Sequence, residues 1–232
     1  QMQFYFGLYD SGRYWVDANF WTNGYYEQEV SVNKAVIDEV WAKYKHYKSF
    51  SGWYLSQECS RNNGKVIEMF AQLGSYCKLV SGLSVLISPY IDGRKNHSEL
   101  VADTQLHGPI TIQAHEYEWN QIFEGIKGAV DIVAFQDGHV EFDELVDFLK
   151  INKRLCDKHG LQCWTNSETF DRDMPIRFLP IKWEKLKLKL ELAAQAGIEN
   201  AITFEFSHFM SPQSMYISAG HLYKRYKEFI AP

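Results

Sequence analysis

The sequence predicts an α/β protein of the (β/α)8 TIM-barrel type, with six strand–helix units in 232 residues. Three observations predict it. Short apolar runs alternate with amphipathic helices, and such alternation means parallel strands joined by crossover helices. No GxGxxG or GxxxxGKS/T follows an early strand, as an open nucleotide-binding sheet would require. Polar residues also crowd the C-terminal ends of the strands, where a barrel carries its site. They are Tyr9 and Asp10, Gln57 and Glu58, Tyr90 and Asp92, Gln136 and Asp137, Asn166 and Glu168, and Glu205 and His208. Six units are two short of eight. The chain opens on QMQFYFGLYD, which reads as the middle of a strand. Two N-terminal units are therefore expected to precede Gln1. Compartment is left open, because a segment for secretion to the periplasm or cell surface would also lie ahead of Gln1.

The elements follow in order. QFYFGLY (3–9) reads as a strand. After a long loop, a helix over 31–47 sets Val32, Val36, Val40 and Tyr44 on one face. FSGWYLSQE (50–58) is a strand, and 63–80 is a helix with Ile67, Phe70, Ala71 and Leu73 apolar. SVLISPYI (84–91) is a strand, followed by a long loop and a helix running to 127. VDIVAFQD (130–137) is a strand, and 142–160 is a helix that Gly160 should end. LQCWTNSE (161–168) is a strand, with the segment after it read as a loop, and 182–197 is a helix again stopped by a glycine. AITFEFSH (201–208) is the last strand and 219–230 the last helix. No linker or charge block divides the chain, so one domain over 1–232 is expected.

Composition narrows the function. Hydrophobic residues make up 46% and the net charge is −5, with no basic stripe, so nucleic acid is not an expected partner. No apolar run reaches membrane-spanning length. The four cysteines form no CxxC pair and read as buried free thiols. No HExxH or HxH lies at a strand end, so neither a metal nor a cofactor is expected. Oligomeric state is left open. Aromatic residues reach 16%, which asks for a use beyond core filling.

Side chains alternate along a strand. In the last strand Ile202, Phe204 and Phe206 should pack on helices, while Thr203, Glu205 and Ser207 face inward. Glu58 shares its side with Ser56, Tyr54 and Gly52, and Glu168 shares its side with Asn166 and Trp164. Three glutamates thus converge at one end of the barrel. Crowded carboxylates raise at least one pKa, which separates an acid from a nucleophile in glycoside cleavage.

A resemblance extends this reading. FGLY, GWYLSQE, LISPY, VAFQDG, WTNSETF and ITFEFSHFMSP stand at successive strand ends. As a set they resemble a bacterial family of glycoside-hydrolase-like (β/α)8 barrel proteins. That family is related to the clan of retaining glycoside hydrolases with catalytic glutamates after strands 4 and 7. The resemblance covers essentially the whole chain. It implies a carbohydrate substrate, with Glu58 as acid/base and Glu168 as nucleophile. Two positions depart from the clan's pattern. Gln57 stands where the clan has Asn, and the fourth strand here ends Gln136, Asp137, Gly138, His139 where the clan often has Tyr. Asp137 or Glu205 could take over either carboxylate role.

The loop DSGRYWVDANFWTNGYY, after the first strand, offers Trp15 and Trp21 for stacking on sugar rings. Tyr9, Gln57, Tyr90, Gln136, Asp137, Asn166, Glu205 and His208 complete the expected substrate wall. A retaining pair would sit about 5–5.5 Å apart, an inverting pair about 6.5–9.5 Å. Two other functions stay open: a carbohydrate-binding barrel without turnover, and a metal-dependent hydrolase on the same fold.

Overall fold

The computed structural model describes residues 2–13, 24–62, 65–95, 109–173 and 177–231. In chain order its elements are β1 Phe4–Gly7, α1 Tyr25–Tyr44, β2 Phe50–Leu55, α2 Val66–Ser81, β3 Ser84–Ile87, α3 Ile112–Gly125, β4 Ile132–Gln136 and α4 Phe142–His159. There follow β5 Gln162–Glu168, β6 Phe170–Asp173, β7 Arg177–Pro180, α5 Trp183–Gln195, β8 Asn200–Phe204, α6 Phe206–Phe209 and α7 Ile217–Ile230. Six strands form one sheet in the order β1-β2-β3-β4-β5-β8, which is their order in sequence. The pairs β1–β2, β2–β3, β3–β4 and β5–β8 are parallel, as crossover helices require. β1 and β8 are the two ends of that order. β6 and β7 form a separate antiparallel hairpin.

The chain divides into two units, each assembled from several segments. The first comprises Gln1–Pro89, Gln113–Ala134 and Arg154–Cys163. Its interior holds Trp53, Phe70, Leu73, Trp119 and Phe123, all without exposed surface. Phe50 and Trp53 meet edge-on at 5.0 Å, and Trp41 meets Phe50 at 5.7 Å, a geometry that ring quadrupoles favour. Gly52 sits mid-strand because a Cβ there would collide with the Tyr5 ring and the Ser84 carbonyl.

The second unit comprises Tyr90–Ile112, Phe135–Lys153 and Trp164–Pro232. One of its apolar clusters joins Ile181, Leu186, Met210 and Leu222, flanked by Trp183, Leu190, Tyr223 and Tyr226. The helix stops fall at the glycines the sequence marks: Gly160 has φ 71° and Gly197 φ 80°. All four cysteines are buried and free.

Several elements differ from the sequence reading. α1 begins at Tyr25 and buries Val30, Asn33, Ile37 and Val40, whereas Val32 and Tyr44 are exposed. The valine row misled because the buried stripe carries polar Glu29 and Asn33, whose hydrogen bonds make their burial tolerable. The segment after Glu168 is the β6–β7 hairpin, not a loop; its charged run FDRD hides the strand signal. The last strand ends at Phe204, not at residue 208. The Glu205 carboxylate accepts the His208 N–H at 2.7 Å, capping α6 and turning the chain out of the sheet. Alternation along β8 is not expressed as burial: Phe204 is 42% exposed, as befits a sheet edge, and Phe206 belongs to α6.

Candidate functional site

In the first unit, Tyr54, Ser56 and Glu58 are half-buried and alternate with buried Trp53, Leu55 and Gln57. Glu58 therefore follows β2 on the polar side of the strand. Gln57, on the other side, donates through Nε2 to the Tyr9 carbonyl at 2.8 Å and to Glu29 Oε2 at 2.9 Å. Asn33 closes a reciprocal pair with the Tyr9 main chain: Oδ1 accepts from the Tyr9 N–H at 2.8 Å, and Nδ2 donates to the Tyr9 carbonyl at 2.9 Å. Ser56 Oγ donates to the Leu8 carbonyl at 2.6 Å. These bonds tie the end of β1 to the end of β2 and to α1. The Tyr9 ring itself is 49% exposed.

Glu58 bears on the titration of two neighbours. Burial pushes the Tyr54 phenol up, and the Glu58 and Asp10 carboxylates push it further. Burial and Glu58 likewise raise the Cys59 thiol. Both groups remain neutral at physiological pH.

In the second unit, Glu168 is the last residue of β5 and only 3% exposed. Its N–H donates to Asp137 Oδ1 at 3.0 Å. Lys189, from α5, reaches the same Asp137 oxygen at 2.7 Å and the Glu168 carbonyl at 3.2 Å. Asp137 is 2% exposed and Lys189 6%, so this is a buried ion pair. Gly138 lies against the Glu168 carboxylate; a Cβ there would overlap all three carboxylate atoms. Tyr90 bridges to Gln136, and its ring meets His139 edge-on at 5.0 Å. Gln136 and Asn166 are buried, at 7% and 5% exposure.

Past β8, Glu205 Oε1 lies 2.5 Å from His208 Nδ1, with the His208 side chain 67% exposed. Thr169 Oγ1 donates to the Phe204 carbonyl at 2.9 Å, joining the residue after Glu168 to the end of β8. Trp15 and Trp21 lie outside the described residues. Among the described residues no cluster of three or more His, Cys, Asp or Glu could hold a metal ion, and no helix is long and apolar enough to cross a membrane.

A family with the description "Domain of unknown function (DUF4434)" matches residues 1–216. The chain belongs to the DUF4434 family. The DUF4434 chain is 55% identical to a "putative alpha-L-fucosidase" from Bacteroides thetaiotaomicron VPI-5482, with a TM-score of 0.87 over 98% of this chain and 67% of that one. It also resembles a beta-glucuronidase from an uncultured Clostridium sp. at 13% identity and TM-score 0.54, covering 87% of this chain and 36% of the other. The endo-1,4-beta-D-mannanase of Thermotoga petrophila RKU-1 gives 13% identity and TM-score 0.50, covering 80% and 55%. At such identity these two show shared fold alone, a TIM-barrel-like α/β fold. No curated protein matches the DUF4434 chain.

Three residues that hold these strand ends escaped the sequence reading: Glu29 and Asn33 in the first unit, and Lys189 in the second. Each had a signal. Glu29, Asn33, Ile37 and Val40 share one helical stripe, and polar residues on a buried stripe demand partners. Lys189 falls on the Leu186–Ala193 stripe of α5, inside KLKLKL, where it looks like one more solvated lysine.

Proposed function

We propose that the protein is a glycoside hydrolase-like enzyme that cleaves glycosidic bonds in an oligo- or polysaccharide with two carboxylates. The observation that carries this reading is Glu168, a carboxylate 3% exposed at the end of a parallel strand, its peptide held by Asp137 and Lys189. A charge in such a place is costly unless it is used. The 55%-identical relative's name supports the sugar class and makes α-L-fucosides the first substrates to try.

Glu168 acts as nucleophile and Glu58 as general acid/base. The Glu58 carboxylic acid protonates the glycosidic oxygen while the Glu168 carboxylate attacks the anomeric carbon and the bond to the leaving group breaks. Glu58, now a carboxylate, takes a proton from water. The water oxygen displaces Glu168 and returns the sugar with its anomeric configuration retained. Tyr9, Tyr90, Gln136, Asn166, Glu205 and His208 supply polar contacts to sugar hydroxyls, and Trp15 and Trp21 stack on ring faces. Gln57 and Asp137 serve instead to hold main chain.

The test is a screen of aryl glycosides, 4-nitrophenyl α-L-fucoside included, and of polysaccharides, with Glu168→Gln as control. The exchange should lower turnover by at least about 10³-fold, on the order of 4 kcal/mol of transition-state stabilisation, and leave sugar binding intact. Turnover that survives the exchange overturns the assignment. Sugar binding without turnover by the wild-type protein overturns catalysis and leaves a carbohydrate-binding barrel.

A further inference from the structure

We propose that Gly138 is a positioning residue for Glu168: its missing side chain is the seat on which the Glu168 carboxylate rests. The inference rests on the functional reading of Glu168, but its structural half stands alone. Gly138 does not occupy the positive-φ region, unlike Gly128 at φ 77° or Gly160 at φ 71°. An alanine would therefore meet no backbone strain there. The three atoms nearest to a built Cβ are Oε1, Oε2 and Cδ of Glu168, and all would clash with it. The end of a glutamate can swing away at small cost to the fold. It cannot do so and keep the carboxylate in place.

The rest of the arrangement denies Glu168 an easier adjustment. The N–H of Glu168 is held by Asp137 Oδ1 at 3.0 Å, and its carbonyl by Lys189 Nζ at 3.2 Å. Asp137 is the residue next to Gly138 in sequence, so the group that grips the Glu168 peptide and the seat under its carboxylate move together. Lys189 fixes Asp137 from α5 at 2.7 Å. The main chain is clamped and the carboxylate is seated, so a methyl group on the seat displaces the carboxylate rather than the strand.

The experiment compares wild type, Gly138→Ala, Glu168→Asp and the double variant. Three readouts are taken: thermal midpoint, turnover of the best aryl glycoside, and the ¹³C NMR resonance of the Glu168 carboxyl, assigned by its loss in Glu168→Gln. Gly138→Ala should stay folded and lose turnover about 100-fold, the scale of a 1 Å misplacement, in kcat rather than KM. Its Glu168 carboxyl resonance should differ from that of wild type, because the carboxylate has left its seat. Aspartate is one methylene shorter and draws the carboxylate back from the added methyl. In the Glu168→Asp background the alanine should therefore cost no thermal stability, even if Gly138→Ala alone does not fold. An unchanged Glu168 resonance in Gly138→Ala, or an equal stability loss in both backgrounds, overturns the seat. A wild type without turnover overturns the catalytic reading instead, and the resonance and the stability comparison still judge the seat.

Discussion

At the end of β2 the groups that hold the chain are the amides of Gln57 and Asn33, bonded to the main chain of Tyr9. At the end of β5 they are a lysine and an aspartate that face each other with 6% and 2% exposure. Both arrangements fix a strand end that carries a glutamate, yet they differ in cooperativity. The amide network is a set of separable bonds, each contributing about 1 kcal/mol net. The ion pair is a unit, because either charge left alone in the interior is uncompensated. The difference also fits the proposed roles. Glu58 is half-buried, within reach of the water that a general acid/base must exchange protons with. Glu168 is enclosed, as suits a nucleophile that must hold position.

The largest effect should come from splitting the ion pair. Lys189→Met keeps the apolar stem and removes the charge, leaving Asp137 buried without its cation. Urea unfolding should show a loss of about 3–5 kcal/mol. Adding Asp137→Asn to the same chain removes the stranded charge and should recover much of that loss. A single Lys189→Met variant as stable as wild type would break the comparison, since the pair would then contribute no more than a surface bridge.

The amide end should fail more gently. Gln57→Leu removes the donors to the Tyr9 carbonyl and to Glu29 Oε2, but Asn33 Nδ2 still donates to that carbonyl. A loss of about 1–3 kcal/mol is expected in the same urea measurement. A loss matching that of Lys189→Met would show that the network around Glu29 also behaves as one unit.

The legible and illegible parts of the molecule divide along the same physical line. The parallel strands were legible because runs such as LISPY and VAFQD need both faces covered and announce it in their composition. Gly160 and Gly197 were legible because only a positive φ ends a helix that way. Glu168 was legible as a carboxylate closing a strand-like run. The β6–β7 hairpin was not, because FDRD lacks an apolar face of its own. Nor was the placing of Glu205, whose reading as an inward strand residue overlooked that a carboxylate can start a helix by taking its N–H groups. Lys189 was hidden for the same reason the ion pair is cooperative. Its partner, Asp137, lies 52 positions away in sequence, and no local pattern shows a pairing at that range.

The smallest effect tests whether the β2 end leans on charge at all. Three residues beyond Glu58, Arg61 forks onto Glu118 of α3 at 2.9 Å and 2.6 Å, and the Asn62 N–H reaches Glu118 at 3.1 Å. Burial alone would raise the Glu118 carboxyl. The Arg61 hydrogen bonds, the Asn62 N–H and the Arg61 charge outweigh it and hold the group below its usual range. A carboxyl lowered in the folded state binds fewer protons there than in the unfolded chain. Its contribution is therefore complete above the unfolded value of about 4.3 and disappears as pH falls through the folded value. The Arg61 side chain is 33% exposed and water screens the pair, so the contribution should stay under about 1 kcal/mol. Glu118→Gln should lower the urea midpoint slightly at pH 7 and flatten its fall between pH 5 and pH 3, until the two proteins converge at the acid end. Curves that stay parallel down to pH 3 would mean that the Glu118 charge does nothing for the fold. The end of β2 would then rest on its amides alone, and the contrast with Lys189 and Asp137 would be sharper still.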